Sequence, residues 1–254
     1  IGIIYGALVA LVQPNMKKLV AYSSLSHLGF VVLGLFSFTQ LGLDGAVYVM
    51  LAHGLSTGAL FMLVGMMYER RHSLEIKDYG GVATPAPWLA TVFLLTTFAS
   101  IGLPTLSNFV GEFLVLQGAA QANFQWAVFA AIGVILSACY MLWLYQRTFL
   151  GRAPGMTADA GHGHGGGHGH DPDTHAQADP HASHEHSGMH MPDLNAREWA
   201  ALLPLIILMI WMGVFAQTFL PSIGASNAKA LSMTKGQIEQ GDETTTPKVA
   251  TRAH

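Results

Sequence analysis

The stretch GLPTLSNFVGEF, residues 102–113, lies inside a long apolar run, yet it contains a proline, two glycines and a glutamate. Between residues 86 and 118, Glu112 is the only Asp, Glu, Lys or Arg. One straight helix over this run would be ~50 Å long, whereas a bilayer core is about 30 Å thick. Because Pro104 removes a backbone donor and clashes with the preceding turn, we predict a helix break there. Ser107 and Asn108 can hydrogen-bond the freed backbone groups.

The composition indicates a membrane protein. Of 254 residues, 51% are hydrophobic and only 11% are charged, against roughly 25% charged residues in soluble domains. The formal net charge of -3 carries little weight, because the charged residues cluster in loops and tails, and they form no basic region suited to nucleic acid. The single cysteine, Cys139, excludes a disulfide framework.

Apolar segments follow one another along the chain, so we predict an all-α polytopic membrane protein. The segments cover residues 1–12, 19–38, 45–68, 86–118, 124–148 and 199–220. The first segment is short and begins at Ile1 without a methionine. We interpret it as the truncated start of a piece of a longer protein.

Basic residues occur in every second connection between these segments, which by the positive-inside rule places those connections on the cytoplasmic side. They are Lys17, Lys18, Arg70, Arg71, Lys77, Arg147 and Arg152. Residues 153–195 follow the last of them and form a low-complexity loop with nine histidines, which we therefore expect to be cytoplasmic and solvated.

The chain thus divides into four parts by sequence. We predict membrane helices over 1–152, the His-rich loop over 153–195, a last transmembrane helix over 196–221 and a polar tail over 222–254. We expect the tail to be disordered, with at most a short helix around 228–239.

Glu112 is the first candidate functional residue. A carboxylate inside a membrane costs about 2.5–3.5 kcal/mol on insertion scales and marks a functional site by default. A proline kink that serves packing alone is the alternative explanation for Pro104, but it leaves Glu112 unexplained.

Two histidines, His27 and His53, also lie within apolar segments. At the rise per residue of an α-helix, His27 and His53 are ~15 Å and ~22 Å from the basic ends of their segments. Glu112 lies near the non-basic end of its own segment. Histidine commonly shuttles protons near neutral pH. The pattern predicts a proton relay at successive depths, although depth alone does not establish contact and each histidine alone could serve packing. Hydroxyls that could hold connecting water are Ser23, Ser24, Ser26, Ser56 and Thr57.

Three motifs occur in order: NMKKLVAYSSLSHLGF (15–30), MLAHGLSTGALFMLVGMMYERRHS (50–73) and GLPTLSNFVGEFLVL (102–116). Together they closely resemble the carboxy-terminal half of the antiporter-like subunit M (chain 4) family of proton-translocating NADH:quinone oxidoreductase, respiratory complex I. The resemblance covers about residues 1–150 and the last segment by position. It implies the second antiporter-like repeat, with a proline-interrupted transmembrane helix, plus a final helix.

The resemblance also implies roles for residues. Glu112 resembles the charged relay residue of the interrupted helix, where sister subunits have Lys, and Pro104 marks the interruption. His27 and His53 resemble the polar-axis histidines, and Lys17 and Lys18 the basic pair that opens the first of these helices. Asn15 and the His-rich loop depart from the family pattern.

The implied protein is a non-redox, proton-translocating subunit of the enzyme in the bacterial inner membrane. No GxGxxG motif or CxxC cluster occurs in the sequence. The resemblance therefore assigns NADH, FMN, iron–sulfur clusters and quinone to other subunits, and implies neighbouring antiporter-like subunits and the lipid bilayer as partners.

Two alternatives stay open. A subunit of a multisubunit cation/proton antiporter shares the fold but predicts Lys at position 112. A metal-handling membrane protein would use imidazoles of the loop, His162, His164, His168 and His170. Their spacing is irregular, and no Cys or fixed carboxylate closes a metal site, so we predict none.

Overall fold

The computed structural model describes residues 1–151 and 191–245, with side chains described as far as residue 234. Within these ranges the regular structure is helical, and a single isolated bridge joins Asn15 and Glu75. The helices are α1 (Gly2–Leu11), α2 (Met16–Phe36), α3 (Gln40–Arg71), α4 (Pro87–Ile101), α5 (Ser107–Ala122), α6 (Phe124–Tyr145), α7 (Ala196–Val214) and α8 (Leu220–Thr245). A π-helical turn, Gln146–Leu150, extends α6, and 3-10 turns occur at Ile76–Asp78 and Ala216–Thr218.

Four helices are long and apolar enough to cross a membrane: α2, α3, α6 with its π-helical extension, and α7. The shorter apolar helices include α1 and α4. They correspond to the apolar segments of the sequence, and the prediction of an all-α polytopic membrane protein is confirmed.

The predicted interruption of the fourth segment is confirmed. Helix α4 ends at Ile101, and α5 begins at Ser107. Gly102 caps α4 in the left-handed conformation, with φ 81°, a backbone region that glycine adopts without steric cost. The amides of Gly102 and Leu103 donate to carbonyls of the last turn of α4. The break is therefore a capped helix end followed by a new helix.

Helix α7 packs directly against this break. At Gly213 the backbones are so close that an added Cβ would overlap the carbonyl of Thr105 and the Cα of Leu106. One residue earlier, the carbonyl of Met212 accepts a hydrogen bond from the hydroxyl of buried Tyr48. Irregular backbone within a membrane requires protein or water beside it, and α7 supplies protein on this side.

Helix α3 is central to the packing, because it contacts α2, α4, α5, α7 and α8. Its contacts with α5 and α2 are the most extensive in the described chain. Helices α2 and α5 also contact each other, so α2, α3 and α5 pack together as a group of three.

Hydrogen bonds and an ion pair join the start of α7 to the end of α3. The Arg70 guanidinium forms two hydrogen bonds to the Glu198 carboxylate, of 2.8 and 2.7 Å, and also donates to the carbonyls of Pro192 and Asp193. The Asp193 carboxylate accepts from the amides of Trp88 and Leu89 in the first turn of α4. We call residues 192–198 with Arg70 the clasp; it fixes where α7 begins.

Two expectations for the polar segments need correction. The tail is more helical than predicted, since α8 runs over Leu220–Thr245. It docks on the start of α3, where Asn227 donates to the Asp44 carboxylate at 2.8 Å and Ile223 packs near Tyr48. The last residues assigned to the His-rich loop are not solvated throughout, because Met191 is buried. The remainder of that loop, from residue 153, lies outside the described residues.

The close approach of α7 to the break predicts that Gly213→Ala destabilises the protein. The new methyl group meets backbone atoms that cannot rotate away, so we expect a loss of about 1–3 kcal/mol, the usual cost of overpacking. Thermal unfolding of the purified protein measures it. The matched control is Gly65→Ala in α3, where an added Cβ meets nothing within 4 Å. Equal stability of the two variants would contradict the proposed contact.

Candidate functional site: a buried glutamate beside an interrupted helix

Three titratable side chains from three helices meet beside the break. They are Glu112 of α5, His27 of α2 and His53 of α3, with exposed fractions of 5%, 1% and 9%. The sequence predicted each of them separately. The packing of α2, α3 and α5 brings them together.

Glu112 and His27 are in direct contact. Oε1 of Glu112 is 3.0 Å from Nδ1 of His27, a distance that suits an ion pair. The approach lacks the alignment of a hydrogen bond, and within the described residues neither of these atoms, nor Nε2 of His27, has a hydrogen-bond partner. A buried carboxylate is tolerated only with a partner, and the imidazole is the group positioned to stabilise it.

His53 continues the cluster on the other side of His27. The two imidazole centroids are 4.9 Å apart, with the rings tilted by 34°. The Thr57 hydroxyl is 3.1 Å from each ring nitrogen of His53. The two histidines therefore lie closer than the ~7 Å difference in depth that helical rise predicts. The arrangement is a contact cluster of three titratable side chains, with His27 between Glu112 and His53.

The second carboxylate oxygen of Glu112 lies against the backbone of the break. An ideal Cβ on Gly102 would be only 2.6 Å from Oε2. A glycine is therefore needed at position 102 for two reasons: its φ is positive, and a side chain there would overlap the Glu112 carboxylate. Gly102 was not among the predicted site residues. A glycine two residues before a proline, with a buried acid ten residues later, is the signal that could have revealed it.

Asn108 ties the break to α3. Its amide nitrogen donates to the hydroxyl of Ser56 at 3.3 Å and to the carbonyl of Ser100 at 3.4 Å. The prediction that Asn108 bonds a freed backbone group is confirmed. The same prediction for Ser107 is wrong within the described residues, since its buried hydroxyl has no partner there.

The remaining predicted residues lie apart from the cluster. Lys17 and Lys18 are exposed in the first turn of α2, and Lys18 is nine residues before His27, or ~14 Å along the helix. Pro104 lies exposed within the break itself. The four candidate metal-binding histidines of the loop fall outside the described residues. Inside those residues, no group of three or more His, Cys, Asp or Glu could hold a metal ion.

A family model described as NADH:quinone oxidoreductase/Mrp antiporter, TM, matches residues 1–138, which include α1 to α5 and the whole cluster. The chain belongs to this family. Membership agrees with the resemblance stated from the three sequence motifs.

Individual members of the family are similar over most of the chain. NADH-quinone oxidoreductase subunit M of Rickettsia prowazekii is 40% identical over 220 residues, which are 87% of this chain and 39% of that protein. NADH-ubiquinone oxidoreductase chain 4 of Marchantia polymorpha is 38% identical over 227 residues, covering 89% of this chain and 40% of its own. The chain therefore spans about two fifths of the length of the curated relatives it matches.

Solved structures show the same fold. A chain of respiratory complex I from Thermus thermophilus with bound NADH superposes with a TM-score of 0.72 at 36% identity, covering 91% of this chain and 43% of that one. A chain of the Mrp complex from Dietzia superposes with a TM-score of 0.71 at 21% identity, covering 89% and 45%. The second likeness shows the fold alone.

The contact between Gly102 and Glu112 predicts energetic coupling between them. Gly102→Ala forces a left-handed alanine, which costs about 1–2 kcal/mol, and also displaces the carboxylate. In a Glu112→Ala background only the backbone cost remains. We expect a coupling energy of roughly 0.5–3 kcal/mol in a double-mutant cycle measured by unfolding.

The control cycle pairs Gly102→Ala with Glu69→Ala, because Glu69 is exposed at the end of α3. This control pair should be additive within about 0.5 kcal/mol. Additivity in the Gly102 and Glu112 cycle as well would contradict the contact.

Proposed function

We propose that the chain supplies a proton path in the membrane arm of NADH:quinone oxidoreductase, as the second repeat and last helix of an antiporter-like subunit M. The observation that carries this proposal is the buried Glu112 carboxylate 3.0 Å from His27, beside an interrupted helix. The names of the relatives support the assignment to this enzyme.

In the proposed mechanism, protons pass between His53, His27 and Glu112. A neutral imidazole accepts a proton on one nitrogen and releases one from the other, so each histidine transfers protons without rotating far. The Glu112 carboxylate accepts the proton from His27 and releases it beyond the break. Each transferred charge works against about 2.3 kcal/mol per 100 mV of membrane potential, so the path must be coupled to an energy source. In the proposed enzyme this source is redox chemistry in other subunits.

The proposal includes location and partners. It places the chain in a bacterial inner membrane, with the basic connections and the His-rich loop on the cytoplasmic side. Neighbouring antiporter-like subunits and the lipid surround it, and NADH, FMN, iron–sulfur clusters and quinone belong to other subunits. The chain then acts as a non-redox subunit of the enzyme.

A cation/proton antiporter subunit is the second candidate, and the likeness to the Mrp complex supports only its fold. The residue at position 112 distinguishes the two candidates, because the resemblance associates Lys with the antiporters and Glu with subunit M. The chain has Glu, which favours the first proposal.

Glu112→Gln tests the path. The amide keeps the shape of the side chain but cannot carry the proton, so we expect pumping to fall by on the order of 10²-fold, the usual size of a lost acid–base group. The measurement is proton uptake into vesicles carrying the intact complex, alongside NADH oxidation. Glu69→Gln is the matched control, since this glutamate is exposed and outside the cluster. A wild-type rate of proton pumping in Glu112→Gln, in an assembled complex, would refute the proposal.

His27→Asn tests the link between the histidines and the carboxylate. The variant removes the imidazole that contacts Glu112, so we expect pumping to fall by roughly the same factor, 10²-fold. His72→Asn is the control, because His72 is exposed and left-handed at the end of α3, where Asn is well tolerated. Equal pumping by both variants would exclude His27 from the path.

A further inference from the structure

The interruption between α4 and α5 contains a backbone conformation that is unfavourable for its residue. Thr105 has a φ of 82°, in the left-handed region. Two other non-glycine residues of the described chain, Phe38 and His72, have positive φ angles of 50° and 53°, but neither is β-branched. A β-branched residue in this region is a genuine outlier, and such a conformation persists only where the surrounding structure imposes it.

The end of α7 is the element that contacts this strained backbone. The side chain of Thr105 is exposed, so its own packing does not hold the residue. At Gly213, an added Cβ would overlap the carbonyl group of Thr105 and the Cα of Leu106. The backbone of α7 therefore lies directly against the strained residue. If the end of α7 moved away, Thr105 would be free to relax to a negative φ.

Tyr48 fixes the end of α7. The last four carbonyls of a helix have no donor within that helix, and Met212 supplies one of them because α7 ends at Val214. The Met212 carbonyl accepts a hydrogen bond from the hydroxyl of Tyr48, a residue of α3 with an exposed fraction of 0%. A side chain of α3 thus caps the last turn of α7.

The next residue of α3 contacts the other helix that flanks the interruption. An ideal Cβ on Gly111 would be only 2.8 Å from the backbone nitrogen of Val49, so α3 and α5 are in close contact there. Gly111 directly precedes Glu112 in α5. Because Tyr48 and Val49 are adjacent, one turn of α3 sets the position of both α7 and the start of α5.

We infer that Tyr48 is a positioning residue for proton transfer at Glu112. Its hydroxyl fixes the end of α7, and α7 holds Thr105 at positive φ. That conformation sets the course of the chain at the interruption, where Gly102 lies against the Glu112 carboxylate. This inference rests on the proposed function.

Tyr48→Phe tests the inference in the intact complex, because it removes the hydroxyl and keeps the ring. Tyr79→Phe is the matched control, since Tyr79 is also buried and donates to the carbonyls of Met67 and Ser73, outside the interruption. Both variants lose a buried hydrogen bond, so both should lower the unfolding temperature. Only Tyr48→Phe should raise amide hydrogen exchange over residues 103–106 severalfold. Only Tyr48→Phe should also slow pumping about tenfold, the effect of a small displacement of the site.

Thr105→Gly tests the route by which Tyr48 acts. Glycine adopts a positive φ without support, so Thr105→Gly in the Tyr48→Phe background should restore most of the lost pumping. The control is His72→Gly in the same background, because His72 also has a positive φ but lies at the end of α3. It should restore none. A general gain in stability would act alike in both double variants.

Two results overturn the inference: Tyr48→Phe that pumps and exchanges like Tyr79→Phe, or Thr105→Gly that restores no more than His72→Gly. If Tyr48→Phe fails to assemble, recovery of assembled complex replaces pumping in the same comparison of double variants. The proposed function fails separately. Its failure shows as a wild-type pumping rate in Glu112→Gln, whereas a failed inference leaves Glu112→Gln defective.

Discussion

A carboxylate that is placed in a membrane interior must have a partner, and much of this structure follows from that constraint. Glu112 faces the His27 imidazole with one oxygen and the backbone of Gly102 with the other. The first contact requires α2 to pack beside α5. The second requires the helix to have ended just before, since only a residue without a side chain leaves room. The buried carboxylate and the interruption of the helix therefore depend on each other.

The interruption in turn determines the surroundings of the site. Ending α4 inside the apolar region frees backbone groups that lipid cannot satisfy. Asn108 binds one of these groups, and α7 covers the same place with a residue small enough for backbone contact. Helix α7 is thus part of the site's support, although it contributes no titratable group to the cluster.

The sequence predicted the parts of this site that depend on local chemistry. The break follows from Pro104, and the candidate residues follow from titratable side chains placed in apolar segments. Contact between His27 and Glu112 was not predictable, because helical rise gives depth but not the direction in which a side chain faces a neighbouring helix. The tail was misjudged for a related reason. Its composition is polar, but the few contacts that dock α8 onto α3 involve one face of its first turns.

The clasp and the docking of α8 have a mechanical consequence when they are considered together. Helix α3 is held near its first turn by the contact between Asp44 and Asn227, and at its last turn by the contact between Arg70 and Glu198. The two partners belong to α7 and α8, which a short 3-10 turn joins. Together these two helices hold both ends of α3, which is ~48 Å long. Sliding α3 along its own axis would break one of the two contacts. Contacts outside the site therefore fix the height of His53 relative to the interruption.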